Sequence, residues 1–287
     1  MCSIALSSTT GHAFVIHGKV DGHVIGDAPT NLWLGLLPTL LHPEPEDILV
    51  IGLGTGQTAG WAAAVPSVQH VDVVELEPAI ARVAEQATPT NRGVMQASNV
   101  HIHYSDAREW LTVIPKAYDV IVSEPSNPYR AGIASLFSEE FYRAARARLG
   151  DDGIFLQWVQ AYELSHETLA IAMQTLRAVF PHVEIWEGAS NGDLLVVAAQ
   201  QSIPHDAEVL TDRVSQEPWR SGLAHGWRVS GLAGLYAGYV GGPGLVEDLA
   251  GDAPVNVDDH PVIEFGFARQ VGDADSVSVE HLRARAN

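Results

Sequence analysis

Asp47-Ile-Leu-Val-Ile-Gly-Leu-Gly-Thr-Gly-Gln-Thr-Ala-Gly60 joins an apolar run to three closely spaced glycines. Residues 48–51 read as a buried strand, Gly52, Gly54 and Gly56 as a tight turn around Thr55, and residues 58–65 as the opening of a helix. Glycines let backbone N–H groups approach a ligand closely, and a helix N-terminus favours electron-rich groups. A second strand, His70-Val-Asp-Val-Val-Glu75, ends in a carboxylate. That carboxylate follows the glycines at about 20 residues, where it suits the hydroxyls of a ribose. The pattern predicts a nucleoside-containing ligand at the carboxyl edge of a parallel sheet. Gly54-Thr-Gly56-Gln-Thr-Ala59 also fits the G-x-G-x-x-A dinucleotide pattern. NAD and an adenosyl sulfonium are therefore both open on this motif alone.

Outward from this stretch, strands and helices alternate. Strands are expected at 48–52, 70–75, 100–105, 118–123 and 153–159, followed by helices near 58–64, 78–87, 106–114, 136–149 and 166–179. Two further strands, 182–187 and 193–199, flank Asn191-Gly192, a turn that predicts an antiparallel hairpin. Repeated strand–helix units give an α/β, Rossmann-like, seven-stranded and mostly parallel sheet with helices on both faces. Residues 13–17 and 23–25 read as a β-hairpin around Gly18-Lys-Val-Asp-Gly22, and residues 31–41 as a short apolar helix. The expected organisation is a small N-terminal module over 1–45, a nucleoside-binding catalytic domain over 46–200, and a C-terminal extension over 201–287. Within that extension residues 207–214 read as a helix, 223–245 as a Gly-rich loop over the site or an irregular wrap, and the tail from Gln270 as frayed.

The chain has 287 residues, 46% of them hydrophobic, which is ample for a large core. Its 35 Asp+Glu against 16 Lys+Arg give a net charge of −19. That argues against binding a nucleic-acid backbone, which needs a basic face, and suits a cationic substrate. The one cysteine, Cys2, allows no internal disulfide and no cysteine metal cluster, so a reducing cytoplasm is expected. The apolar run 32–41 is too short for a bilayer, and residues 1–10 lack the basic start of a signal peptide. His101 and His103 share a strand face without a third ligand nearby, so no metal is expected. Asp258, Asp259 and His260 read as a solvated turn.

Two strand ends carry the remaining chemistry. Asp106 follows strand 100–105, where a carboxylate can accept from an adenine amino group or cap the helix that begins at Ala107. Strand 118–123 ends in Glu124-Pro-Ser-Asn-Pro128, where two prolines make a rigid, extended turn holding Glu124 and Asn127 at the sheet edge. An aliphatic amine, with a pKa of about 10, must shed a proton before it attacks, and Glu124 is placed to accept it.

Taken together, Val50-Ile-Gly-Leu-Gly-Thr-Gly56, Val74-Glu-Leu-Glu77, Ser105-Asp-Ala107, Tyr118-Asp-Val-Ile-Val-Ser-Glu-Pro-Ser-Asn-Pro128, Ser135-Leu-Phe137, Glu140-Phe-Tyr142 and Gly153-Ile-Phe-Leu-Gln157 resemble the spermidine synthase (polyamine aminopropyltransferase) family. The resemblance runs from about residue 13 to 200 and implies a class I S-adenosylmethionine-dependent methyltransferase fold. It implies decarboxylated S-adenosylmethionine, or S-adenosylmethionine itself, as cofactor, a small amine as acceptor, and a homo-oligomer such as a dimer. It assigns Gly52, Gly54, Thr55, Gly56, Glu75 and Asp106 to the cofactor, Glu124 and Asn127 to catalysis, and Gln157 to the amine groove. Apart from the resemblance, Tyr162 reads either as a wall of that groove or as core packing. The Glu-Pro-Ser-Asn-Pro form, Leu34-Gly-Leu-Leu-Pro38 and Asn256-Val-Asp-Asp-His-Pro261 look like a bacterial subgroup often fused behind membrane segments. This sequence carries no such segment, so a free-standing or truncated relative is expected.

The departures fall on amine recognition. Thr55 and Asn127 stand where the resemblance expects Asp, and Asp27-Ala-Pro-Thr-Asn31 replaces a Tyr-His-Glu run. The rival readings are a methyltransferase using the intact cofactor, a non-catalytic nucleoside-binding relative and, more distantly, an NAD oxidoreductase.

Overall fold

The computed structural model describes residues 4–7, 13–16, 19–125, 132–161, 164–188, 192–264, 266 and 277–286. Strands β1 (Ile4–Ser7), β2 (Ala13–Ile16) and β3 (Lys19–His23) form a small antiparallel sheet. The main sheet contains β4 (Asp47–Ile51), β5 (His70–Glu75), β6 (Val100–Tyr104), β7 (Tyr118–Ser123), β8 (Leu149–Val159), β9 (His182–Glu187), β10 (Leu194–Ala199) and β11 (Tyr239–Gly241). Its order is β11-β9-β10-β8-β7-β4-β5-β6. Strands β6, β5, β4, β7 and β8 pair in parallel, while β10 is antiparallel to both β8 and β9.

Both faces of the sheet's central strands are covered, so these are apolar on both sides, while the edge strand β6 is part-exposed along its length. On β4, Ile48 and Val50 pack with α1 (Ala28–Leu41) and α2 (Gln57–Ala62), while Leu49 and Ile51 pack with α5 (Glu139–Arg146) and α6 (His166–Arg177). Between them in sequence lie α3 (Ala81–Gln86) and α4 (Ala107–Val113). Helix α1 is apolar on nearly every side, the pattern of a fully buried helix. Leu32, Leu34, Leu36, Leu37 and Leu40 are all buried, and burying such a side chain is worth about 1.5–3 kcal/mol. The outer side of α1 is closed by the C-terminal segment, where Trp227 stacks on Trp33 at 4.3 Å between ring centroids.

The structure departs from the sequence reading at several points. The sheet is mixed and has eight strands rather than seven, because β11 adds antiparallel to β9. The N-terminal sheet gains β1, and its third strand begins at Lys19, inside the stretch read as a turn. Residues 223–245 are not an irregular wrap. A π-turn over Leu223–Trp227 follows the short helix Trp219–Gly222, then come helix Gly231–Tyr236, β11 and helix Pro243–Ala250. Within the tail read as frayed from Gln270, Val279–Ala286 form a helix, while residues 270–276 lie outside the described residues. Val279 and Leu282, one turn apart, bury one face of it, and Arg285 pairs with Asp248 at 2.6 Å. The hairpin of β9 and β10 has the expected antiparallel register, although Asn191 lies outside the described residues.

Candidate active site

The glycine turn leaves β4 and runs against the end of β7. Gly52 has φ +98°, and a Cβ there would stand 2.6 Å from the Glu124 carbonyl oxygen, so only glycine fits. Gly52 N donates to Val74 O at 2.9 Å and Glu124 N to Ile51 O at 3.0 Å, fixing the turn between the ends of β5 and β7. Gly54 has φ +49°, and no atom lies within 4 Å of the position its Cβ would take. That open side of the turn is a cradle a ligand can enter. Thr55 faces the other way. It is buried, its hydroxyl accepts from Gln57 Nε2 at 3.2 Å, and its carbonyl accepts from Asn91 Nδ2 at 3.0 Å.

Glu75 ends β5 beside this cradle. Its Oε2 accepts from Leu53 N at 2.9 Å and its Oε1 from Glu77 N at 2.8 Å. Burial pushes its carboxyl above the usual range, and these N–H groups pull it back. Leu76, 70% exposed, follows Glu75, and half-exposed Tyr104 is its register partner on β6. Two large apolar side chains left in solvent beside a carboxylate offer flanking surfaces for a flat ring.

Asp106 is the N-cap of α4. Its Oδ1 accepts from Arg108 N at 2.8 Å and from Glu109 N at 3.2 Å. Capping occupies one oxygen, which leaves Oδ2 available to a ligand, so the two readings of this residue are compatible.

Glu124 stands at the end of β7. Thr58 Oγ donates to its Oε2 at 2.5 Å. With the Asn31 amide turned so that its nitrogen faces acceptors, that group donates to Glu124 Oε1 at 3.2 Å and to the Asp27 carbonyl at 3.2 Å. Burial, aided by the charges of Asp27 and Asp193, pushes the Glu124 carboxyl up to about 8. Gln157 sits in register with Ser123 on the neighbouring strand. It is fully buried, and its Oε1 has no hydrogen-bond partner among the described residues. Asn127 and Tyr162 lie outside the described residues.

Thr58, Asn31, Asp27 and Asp193 were not singled out by sequence as site residues, yet all four bear on Glu124. A partial signal existed for Thr58, which opens the helix after the glycines. Asp258, read as a solvated turn, forms a two-armed ion pair with Arg108 of α4. Among the described residues no group of three His, Cys, Asp or Glu could hold a metal ion, and no helix is long and apolar enough to cross a membrane.

A spermine/spermidine synthase domain model matches residues 32–186. The chain is similar to the polyamine aminopropyltransferase of Alkaliphilus metalliredigens (strain QYMF), 29% identical over 153 residues, covering 53% of this chain and 54% of that protein. It is also similar to the polyamine aminopropyltransferase of Aeropyrum pernix, 32% identical over 184 residues, covering 62% and 57% respectively. The chain thus spans about half the length of the curated relatives it matches. Its fold is similar to that of a spermidine synthase solved in complex with the transition state analogue AdoDATO, with a TM-score of 0.72 at 19% identity over 88% of this chain and 85% of that one. The spermidine synthase of Thermotoga maritima gives a TM-score of 0.69 at 19% identity, covering 88% and 84%. With the family model matching more than half of its length, the chain belongs to the spermine/spermidine synthase family.

Proposed function

We propose that this chain is an aminopropyltransferase, using decarboxylated S-adenosylmethionine and a small amine. When bound, that cofactor supplies a carbon activated by a sulfonium and a thioether that leaves neutral. The residues present suit it. The open side of Gly54 would admit it, Glu75 at the end of β5 would hold the ribose hydroxyls, and Asp106 Oδ2, left free by capping, would accept from the adenine amino group. Glu124 acts on the acceptor. It takes a proton from the acceptor's ammonium, freeing the lone pair that would form the N–C bond as the C–S bond breaks, with that bond's electron pair passing to sulfur. Methylthioadenosine is the by-product. A neutral leaving group needs no acid, so positioning and one proton acceptor suffice.

The observation that carries this reading is the Glu124 carboxyl, pushed up to about 8 and held by Thr58 and Asn31 beside the cradle. A proton acceptor works best when its pKa lies near the operating pH.

The test is product identification by mass spectrometry after incubation with either form of the cofactor and a pool of amines. An aminopropylated amine plus methylthioadenosine, formed only from the decarboxylated form, is the expected result. S-adenosylhomocysteine would instead make the protein a methyltransferase. Nucleoside binding with no product from any amine would make it a non-catalytic relative.

A further inference from the structure

Helix α2 is pinned from two sides at glycines. A Cβ on Gly35 of α1 would collide with the Thr58 carbonyl oxygen, and a Cβ on Gly60 of α2 would collide with the Asn91 carbonyl oxygen. Backbones packed this closely leave α2 little room to slide or turn. Gly35 belongs to Leu34-Gly-Leu-Leu-Pro38, a stretch singled out by sequence to which the transfer chemistry gives no role. The crossing it permits sets Thr58, in the first turn of α2, between α1 and the end of β7. Thr58 is 2% exposed. Its Oγ lies 3.0 Å from the Asn31 carbonyl oxygen and 2.5 Å from Glu124 Oε2.

A hydroxyl has one proton to donate and lone pairs with which to accept. Thr58 can therefore donate to only one of these two oxygens at a time. When Glu124 is ionised, the proton belongs on its side, where the charge strengthens the bond. When Glu124 is protonated, its own O–H donates to Thr58 Oγ, and the Thr58 hydroxyl donates to the Asn31 carbonyl. Asn31 tolerates either state, because a carbonyl inside a helix is also engaged by the N–H four residues ahead. The Asn31 side-chain amide donates to the other oxygen, Glu124 Oε1, at 3.2 Å. Among the described residues the charged groups that reach Glu124 are the carboxyls of Asp27, ahead of α1, and Asp193, ahead of β10, and both oppose its ionisation.

We propose that Thr58, seated by the crossing of α1 and α2 at Gly35, is a positioning residue for proton transfer, its hydroxyl accepting from the Glu124 carboxyl and donating to the Glu124 carboxylate. The same contact thus holds Oε2 in place before and after the proton arrives. This rests on the aminopropyl-transfer reading of the site. A valine at position 58 keeps the branched shape but removes this partner from both states. The loss weighs more on the ionised state, because a hydrogen bond to a charged group is the stronger one. Glu124 then keeps its proton to a higher pH.

The test is a carbon NMR titration of the full chain, labelled at the glutamate Cδ. The Glu124 signal is the one missing from Glu124→Gln. Its midpoint should rise by roughly one pH unit in Thr58→Val and return close to the wild-type value in Thr58→Ser, which restores the hydroxyl. Thr58→Ala is the independent variant. It removes the hydroxyl without adding bulk and should shift the midpoint the same way. Methylthioadenosine affinity reports whether each variant is folded. A Thr58→Val midpoint at or below that of wild type, or a Thr58→Ser midpoint as high as that of Thr58→Val, overturns the proposal. Turnover is read separately, and where transfer occurs the kcat/KM profile should move with the NMR midpoint. A midpoint that depends on the Thr58 hydroxyl, without aminopropyl transfer, leaves the pairing of Thr58 with Glu124 standing and removes the transfer reading. Transfer with equal midpoints in wild type and Thr58→Val does the reverse.

Discussion

At Glu124 burial works against the charge that proton transfer requires. The ionised form is opposed by desolvation and by Asp27 and Asp193, and supported by donors from Thr58 and Asn31. The balance pushes the carboxyl up to about 8, so in the free protein it is largely protonated at neutral pH. A kcat/KM profile reports the free enzyme. It should therefore climb with pH and level off near 8. A bound cation favours the carboxylate, so the kcat profile should level off at a lower pH. Glu124→Gln keeps the size of the side chain but cannot accept the proton. Turnover should fall by about 10²–10⁴-fold, with methylthioadenosine affinity preserved. An unchanged turnover, or a profile flat from pH 6 to 9, would remove Glu124 from the chemistry.

Helix α4 shows how one side chain serves an element and a site together. Asp106→Asn keeps a good N-cap, so the melting temperature should stay close to that of wild type. The amide oxygen must then do the capping, which turns its NH₂ group toward the ligand. Methylthioadenosine affinity should drop by roughly tenfold, the worth of one hydrogen bond. Equal affinity in Asp106→Asn would confine the residue to capping. Elements of this kind were legible in the sequence because parallel strands buried on both faces are continuous apolar runs and their helices open on capping residues. Strand β11 was not legible. It is three residues long in a Gly-rich segment, and its pairing with β9 is irregular, so no period marks it. The glycines, Glu75, Asp106 and Glu124 could be read from chain position because each ends a strand. The bond from Thr58 to Glu124 spans 66 residues and that from Thr30 to Asp193 spans 163. No local pattern announces such pairs, since the sheet order alone brings them together.

Across the whole molecule, the C-terminal segment is tied to the sheet by a polar clasp inside an aromatic cluster. His205 Nε2 meets Glu184 Oε2 at 2.8 Å, its Nδ1 meets the Tyr236 hydroxyl at 2.8 Å, and Trp186 Nε1 donates to Glu184 Oε1 at 2.8 Å. Glu184 lies on β9, while His205 and Tyr236 come from the segment that follows β10, so the clasp closes the sheet edge that β11 extends. The hydrogen bond that His205 donates to the Glu184 carboxylate raises the His205 pKa above its ordinary value, with burial opposing it. A histidine whose pKa is raised by folding stabilises the fold fully below its unfolded pKa, about 6.5, and loses that contribution as pH rises through the folded value. The elevated carboxyls of Glu124 and Asp193 also make stability fall with rising pH, so the wild-type slope alone is ambiguous. His205→Gln separates them, because glutamine can bond Glu184 without titrating. Thermal melts at pH 6 and pH 9 should show wild type ahead of His205→Gln by more at pH 6 than at pH 9. A stability gap independent of pH would mean that His205 is neutral throughout, and that the segment is held by ring packing instead of by the charged pair.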